Sequence, residues 1–302
     1  MTPTTCTDPV VLEHWHPLSS VDEMTVGIVH NTVLLGQKLS FALAPDGQAH
    51  AWYPTLGVCE GVIFDPAKTG DRVNCQIEYG YVWASLGNNP EPLFPFPEYA
   101  ESDRRFVPTG MFGVNVSAGR AVENFLDMGH FPYVHTGILG EEPHTEVKEY
   151  DVEVSETRDE VLATRCRFYQ PQAALTSDEG ADVEYTYRVP HPNCAILYKS
   201  SPNDPARRDT IFLFIQPVGP ESILAHTGMC ILDEESPYQA IRYFQQVIFG
   251  QDKPILENQM PKRLPLDPRA ETPIRADKSA IAYRRWLSGK GLTYGVIPVS
   301  NP

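Results

Sequence analysis

The chain has 302 residues, of which 42% are hydrophobic and 10% aromatic, as in an ordinary packed globular protein. Its formal net charge of −15 argues against nucleic acid and against an anionic membrane surface, and leaves room for a basic protein partner. No stretch approaches the roughly 18 apolar residues of a membrane span, and the first ten residues have no signal-peptide core. We therefore expect a cytoplasmic protein. Six scattered cysteines without a Cys-x-x-Cys pair do not favour a disulfide scaffold or a zinc ribbon.

The first hundred residues show the pattern of short strands. Residues 44–48, Ala-Pro-Asp-Gly-Gln, form a turn signal between two apolar runs and predict a hairpin. Residues 74–84 form a further strand region. The stretch 88–97 contains too many prolines for regular structure. We interpret it as the seam between a small β domain, residues 1–100, and a larger domain, residues 101–302.

The larger domain is expected to combine an antiparallel sheet with three main helical regions. Turn residues separate six apolar or alternating runs, which predict a meander of six strands at 147–155, 161–169, 182–189, 194–200, 210–218 and 222–232. Helices are expected at about 118–131, 237–249 and 276–288, with the second interrupted at 250–254 and resuming over 255–260. Ser117 is the expected N-cap of the first helix, and Pro237 begins the second. The fold class is therefore α+β.

A possible metal site lies at the end of the first helix. Asn124, Asp127 and His130 follow one another in steps of three, so a helix places them on one stripe. His135 comes five residues after His130 and would point about 140° away from it on an ideal helix. Pro132 removes this difficulty because proline disrupts the helical turn and lets the second imidazole swing back.

Two imidazoles directed at one point, with a carboxylate and an amide behind them, suit iron, zinc or copper. The simpler alternative is a helix end that carries two surface or core histidines. A second pair, His14 and His16, could also bind a metal. Pro17 and the mixed surroundings of this pair favour a structural role instead.

In these residues, the chain resembles the terminal oxygenase subunits of Rieske non-haem iron oxygenases. The resemblance rests on Asn124-x-x-Asp127-x-x-His130-x-x-x-x-His135 and on residues 252–259, and it extends over nearly the whole chain. Within the family, residues 249–254 and 282–287 are most similar to bacterial methylxanthine N-demethylases. The resemblance implies a helix-grip (START/Bet v1-like) catalytic domain that follows a Rieske-like β domain.

The resemblance also implies the iron ligands. They are His130, His135 and Asp252, a two-histidine, one-carboxylate triad that leaves positions on Fe(II) for dioxygen. Zinc would accept the same ligands, and Glu234, Glu235 and Glu257 compete with Asp252 on sequence grounds. In the family, an aspartate bridges an iron histidine and a cluster histidine, and here it would be Asp127. Asn124 would then limit access to the iron or form a hydrogen bond beside it.

The sequence departs from the family in one respect. Members carry Cys-x-His and Cys-x-x-His motifs for a [2Fe–2S] cluster, and neither motif occurs here; Cys59 and Cys75 have no histidine at the required spacing. We therefore expect a shortened Rieske-like domain without a cluster. Electrons from NADH would come through a separate reductase that carries a Rieske domain. The family is usually trimeric, but this chain could instead work in a hetero-oligomer.

The implied reaction is oxidative removal of an N-methyl group as formaldehyde, with N7 of 7-methylxanthine as the expected position. Gln245 and Phe249 lie seven and three residues before Asp252, so a continuous helix would bring them to the same face and into a substrate pocket. Core packing of Phe249 and a surface position for Gln245 are the alternative. Two other functions stay open: O-demethylation of an aromatic ether, and a non-catalytic scaffold subunit of an oxygenase complex.

Overall fold

The structure, a computed structural model, describes residues 5–54, 59–172, 179–201, 204 and 206–299. The protein is α+β, with antiparallel sheets and few helices, as the sequence predicts. The strands are β1 His16–Ser20, β2 Val29–Leu34, β3 Gln37–Leu43, β4 Ala49–Trp52, β5 Asn74–Glu78, β6 Tyr81–Ser85, β7 Arg105–Val114, β8 Asp151–Ser155, β9 Glu160–Gln170, β10 Ala181–His191, β11 Cys194–Ser200, β12 Arg208–Gly219, β13 Ser222–Ile231, β14 Leu264–Pro265 and β15 Val296–Ile297. The α-helices are α1 Pro9–Leu12, α2 Ala118–Leu126, α3 Phe131–Val134, α4 Tyr238–Asn258 and α5 Lys278–Gly289.

Two three-stranded sheets, ordered β1-β6-β5 and β2-β3-β4, make up most of the N-terminal third. The predicted hairpin is β3–β4. The strand region at 74–84 is in fact a second hairpin, because Tyr79 and Gly80 both adopt positive φ, 49° and 69°. Two consecutive residues of this kind form the tight turn whose twist suits a two-residue hairpin.

The larger sheet has seven strands in the order β7-β13-β12-β11-β10-β9-β8. Six of them, β8 to β13, are the predicted meander. The sequence reading missed β7, which pairs with β13 at the edge of the sheet. Pro108, Gly110 and Gly113 within this run weaken its strand signal, although an edge strand tolerates them.

One prediction for the helices was wrong. Helix α4 continues through residues 250–254 without interruption, and Pro254 lies inside it. Its buried residues recur every three or four positions, so packing along this face holds the helix together despite the lost hydrogen bond. They are Ile241, Gln245, Phe249, Asp252 and Leu256.

The N-terminal sheets pack directly on the large sheet. A single cluster of buried apolar side chains includes Leu34 and Val82 from the small sheets as well as Leu213 and Ile215 from β12. All six cysteines are free thiols. Within the described ranges, no helix is both long enough and apolar enough to cross a membrane.

Candidate metal centre

Helix α2 ends where the metal motif begins. Ser117 caps its N-terminus by accepting a hydrogen bond from the Arg120 backbone, as predicted. The helix stops at Leu126, and Asp127 takes an extended conformation as its C-cap. The short helix α3 then begins after His130, with Pro132 in its first turn. The predicted helix over 118–131 is therefore shorter than expected, and this break is what turns His135 back toward His130.

Helix α2 is held in place by a buried network of four charges. Arg120 contacts the carboxylates of Glu123 and Glu271, and the Arg284 guanidinium contacts the same two carboxylates from α5. Arg120 is inaccessible to solvent, and Arg284 is only 6% exposed. Because each charge has two partners of opposite sign, the network fixes α2 against the C-terminal helix.

Three side chains converge beyond the end of α2. The Nε2 atoms of His130 and His135 lie 3.1 Å apart. The Oδ1 atom of Asp252, which α4 supplies, is 3.3 Å from His130 Nε2 and 3.2 Å from His135 Nε2. In the part of the chain that the structure describes, these residues form the one group of three or more His, Cys, Asp or Glu with ligand atoms this close.

These spacings fit a metal ion. Ligand atoms bound at about 2.1 Å on one face of an ion lie about 3.0 to 3.4 Å from one another, depending on the coordination angle. The observed separations of 3.1, 3.2 and 3.3 Å lie within this range. Two imidazoles and one carboxylate on a single face are the donor set of non-haem Fe(II) sites.

The charges around the group also favour a cation. Burial lowers the pKa of His130, but hydrogen bonds to the carboxylates of Asp127 and Asp252 outweigh this effect and raise it to about 9. Burial likewise raises the pKa of Asp252, and its hydrogen bonds with the two histidines hold it below the usual range. Ionised carboxylates beside the imidazoles therefore favour a positive charge at this point, which a bound metal ion would supply.

The outer nitrogens of both histidines have partners. Asp127 Oδ2 lies 3.0 Å from His130 Nδ1, and its Oδ1 accepts a hydrogen bond from the Gly129 backbone. Gln251 Oε1 lies 2.8 Å from His135 Nδ1. These oxygens assign the proton to Nδ1 in each ring and leave Nε2 free for a metal. Asn124 Nδ2 donates a weak hydrogen bond, 3.5 Å long, to Asp252 Oδ1.

The competing residues lie elsewhere. His16 is buried and its Nε2 lies 2.9 Å from the Val11 carbonyl, while the His14 ring packs on His191 with centroids 4.5 Å apart. Glu257 accepts hydrogen bonds from Asn115 and contacts Lys253. Glu234 and Glu235 precede α4 and are not in the group that surrounds the two histidines.

An interior cavity adjoins the three residues on the side of the large sheet. Gln245 from α4, the residue that the sequence analysis expects in a substrate pocket, is among the residues that line it. Phe249 is not among the lining residues; its ring packs on Phe112, 4.6 Å between centroids. The apolar wall from α4 instead consists of Phe244 and Ile248. Spacing along a helix shows which residues share a face, but it does not show which of them reach a cavity.

A groove of about 510 Å³ lies on the other side of the histidines and opens to the surface. Asp127, Asn124 and one edge of His130 line it. Asp127 thus borders the outer groove and contacts His130, while the inner cavity borders both histidines.

The comparisons with known proteins agree with this arrangement. Residues 114–291 match the family described as vanillate O-demethylase oxygenase C-terminal domain. The chain is also 45% identical over 285 residues to the probable methylxanthine N7-demethylase NdmC of Pseudomonas sp. strain TJI-51, covering 94% of this chain and 96% of that protein. The chain belongs to the Rieske non-haem iron oxygenase family.

Solved structures of this family share the fold. Methylxanthine N1-demethylase NdmA of Pseudomonas putida, solved with caffeine, superposes with a TM-score of 0.70 at 20% identity, covering 93% of both chains. Dicamba monooxygenase bound to dicamba superposes with a TM-score of 0.69 at 16% identity, covering 91% of this chain and 96% of that one. The family and the fold class that the sequence predicts are both confirmed.

The sequence analysis missed several residues at the site. Gln251 immediately precedes Asp252 and contacts His135, but no spacing in the sequence distinguishes it from other polar helix residues. Gln170, Tyr185 and Tyr187 line the cavity from β9 and β10. The two tyrosines alternate along one strand, which places them on one face of the sheet. That alternation was visible in the sequence, but it does not reveal which face meets the metal group.

Proposed function

We propose that this protein is a non-haem Fe(II) monooxygenase that removes the N7 methyl group of a methylxanthine, with 7-methylxanthine as the expected substrate. The convergence of His130, His135 and Asp252 at the wall of an interior cavity supports the enzyme class most strongly. The similarity to NdmC over 94% of the chain supports the substrate class. In this proposal the chain divides into a cluster-free Rieske-like domain, residues 1–100, and a catalytic domain, residues 101–302.

The proposed ligands would hold iron by two Nε2 atoms and one carboxylate oxygen. Iron bound there would supply the activation of dioxygen for insertion of one oxygen atom into a C–H bond of the methyl group. The balance requires one O₂, two electrons and two protons, and it yields one water and an N-hydroxymethyl product. That product breaks its carbon–nitrogen bond to release formaldehyde and leave an N–H on the ring.

The remaining residues position the ligands and the substrate. Gln251 and Asp127 orient His135 and His130 by hydrogen bonds to the outer ring nitrogens. Gln245, at the cavity wall, offers an amide that can both donate to and accept from a purine dione. Asn124, 3.5 Å from Asp252, limits the movement of that carboxylate and closes the cavity beside it.

The electrons would come from NADH through a separate reductase that carries a Rieske domain. The absence of cluster motifs from this sequence motivates the proposal. Asp127 would lie on the electron path, because it borders the surface groove and also contacts His130 Nδ1.

The decisive experiment measures formaldehyde from the Fe(II)-loaded protein with 7-methylxanthine, with and without a Rieske-domain reductase and NADH. Formaldehyde that requires the donor, in equal amount to the 7-methylxanthine consumed, supports the proposal. Bound iron without formaldehyde from any methylxanthine would overturn the substrate assignment.

An O-demethylase of aromatic ethers is the second candidate, and the vanillate O-demethylase family match favours it. A panel that contains vanillate and all three monomethylxanthines separates the two. The third alternative, a scaffold subunit, requires no iron. Iron content near zero after anaerobic loading would favour that alternative.

A further inference from the structure

Three polar side chains from the large sheet line the same cavity as the metal group. Tyr185 and Tyr187 are two residues apart on β10, so both project from the inner face of the sheet. Gln170 ends β9 and pairs with Ala181, on the same β9–β10 ladder in which Tyr185 pairs with Cys166. All three line the cavity together with both histidines and Asp252.

These side chains are buried without partners for their polar atoms. Each is only 1% exposed. The hydroxyls of Tyr185 and Tyr187 and the Oε1 atom of Gln170 have no hydrogen-bond partner among the described residues. Buried polar atoms are nearly always hydrogen-bonded in folded proteins, because leaving one unpaired is unfavourable. Three unpaired atoms around one cavity indicate a polar ligand.

Two other buried tyrosines have hydrogen-bonded hydroxyls, whereas the buried Tyr294 hydroxyl has no partner among the described residues. The Tyr283 hydroxyl is fully buried and donates a 2.6 Å hydrogen bond to the Pro192 carbonyl. The Tyr150 hydroxyl donates to the Ala276 carbonyl over 2.6 Å. What distinguishes Tyr185 and Tyr187 is their position, because both side chains line the cavity that also borders the two histidines and Asp252.

We propose that Tyr185, Tyr187 and Gln170 form a substrate-recognition wall for the dione edge of the purine. The two hydroxyls donate to the ring carbonyl oxygens, and the Gln170 amide oxygen accepts from a ring N–H. This inference rests on the proposed function, and it adds the residues that select the substrate. Burial raises the pKa of both tyrosines well above the usual range, so both hydroxyls stay protonated as donors.

The wall has a consequence for selectivity. 7-Methylxanthine carries two ring N–H groups on its dione edge, theobromine carries one, and caffeine carries none. A site built to accept a hydrogen bond rejects an analogue that lacks the donor, because its own polar atom is then left unpaired. Gln170 should therefore favour 7-methylxanthine over caffeine.

The first test compares substrate affinity with stability. Tyr185→Phe and Tyr187→Phe are measured beside Tyr283→Phe, a matched control that removes a satisfied buried hydroxyl. The full-length, Fe(II)-loaded variants are titrated anaerobically with 7-methylxanthine by calorimetry, and their Tm values are recorded. We expect the two cavity variants to bind about 5- to 30-fold more weakly with unchanged or higher Tm. The control should lose Tm and keep wild-type affinity.

The second test uses Gln170→Leu, which keeps the side-chain size and removes the acceptor. It should narrow the preference for 7-methylxanthine over caffeine by about tenfold or more. If the wild type binds 7-methylxanthine and the cavity variants bind it with an affinity within twofold of the wild type, the recognition wall is overturned. The proposed function then still stands. A wild-type protein that binds no methylxanthine would overturn both.

Discussion

The hydrogen bond between Gln251 and His135 gives the sharpest test of the metal centre. His135 is 1% exposed, and the Gln251 oxygen lies 2.8 Å from its Nδ1. When Nε2 faces a metal, Nδ1 carries the proton and needs an acceptor. Gln251→Leu removes that acceptor and leaves a buried N–H unpaired, at a cost of about 1–3 kcal/mol. Since 1.4 kcal/mol corresponds to a factor of ten, the affinity for Fe(II) should fall about 5- to 150-fold.

Two further variants on α4 separate this effect from general damage. Gln251→Glu restores an acceptor of the same size and should keep iron binding close to that of the wild type. Gln246→Leu is the matched control, because the Gln246 amide donates a 2.6 Å hydrogen bond to the Thr109 carbonyl, away from the metal group. This control should lower stability and leave the affinity for iron unchanged.

The affinity is measured by anaerobic competition with a chromogenic Fe(II) chelator. Co(II) substitution adds a second readout, since its visible spectrum reports the geometry of the ligands. Gln251→Leu protein that binds iron as tightly as Gln246→Leu protein would refute the assignment of His135 Nε2 as a ligand atom oriented by Gln251.

Three more predictions concern Asp127, His226 and two glycines. Asp127→Asn keeps the acceptor for the Gly129 backbone but places an amide against His130. Iron binding should weaken about tenfold. Donor-dependent formaldehyde release, measured in single-turnover assays, should fall by more than that. Burial lowers the pKa of His226 to about 3, so the folded protein keeps this imidazole neutral and loses stability as the pH falls below the unfolded pKa of about 6.5. Between pH 7.5 and 5.5, the free energy of unfolding of the metal-free wild type should therefore fall by about 1.4 kcal/mol more than that of metal-free His226→Phe, as urea unfolding would show. An added Cβ at Gly228 would lie 2.2 Å from the Phe212 ring, whereas one at Gly250 meets nothing within 4 Å. Gly228→Ala should therefore lose about 1–3 kcal/mol of stability by chemical denaturation, and Gly250→Ala should gain about 0.5–1 kcal/mol.

The sequence reveals most of the fold where local patterns are strong. Six strands of the large sheet and the hairpin β3–β4 follow from apolar alternation and turn residues. The sequence does not predict strand β7, because Pro108, Gly110 and Gly113 make this edge strand resemble a loop. The predicted break in α4 is wrong because here local signals suggest an interruption that the fold does not have. Gly250 and Pro254 weaken a helix locally, but the buried face that ends at Leu256 overrides them through tertiary packing.

In the metal group, too, residues that are close in sequence are predictable and a residue that is distant in sequence is not. Asn124, Asp127, His130 and His135 fall within twelve residues, so their spacing alone predicts two convergent imidazoles. The third member, Asp252, lies more than a hundred residues away and was accessible only through the family resemblance. Nothing local distinguishes it from the neighbouring acidic residues; the fold does so by placing its Oδ1 within 3.3 Å of both Nε2 atoms.

The residues that no pattern predicted share a physical property. Gln251 is an ordinary polar residue on a helix, and Tyr185 and Tyr187 look like ordinary strand residues; each gains its role from what the fold places opposite its polar atom. For Gln251 that partner is an imidazole nitrogen, and the hydrogen bond is already formed. For the tyrosines the protein supplies no partner among the described residues. In our proposals, Gln251 therefore orients a ligand histidine through a hydrogen bond that is already formed, and the two tyrosine hydroxyls remain available to the substrate.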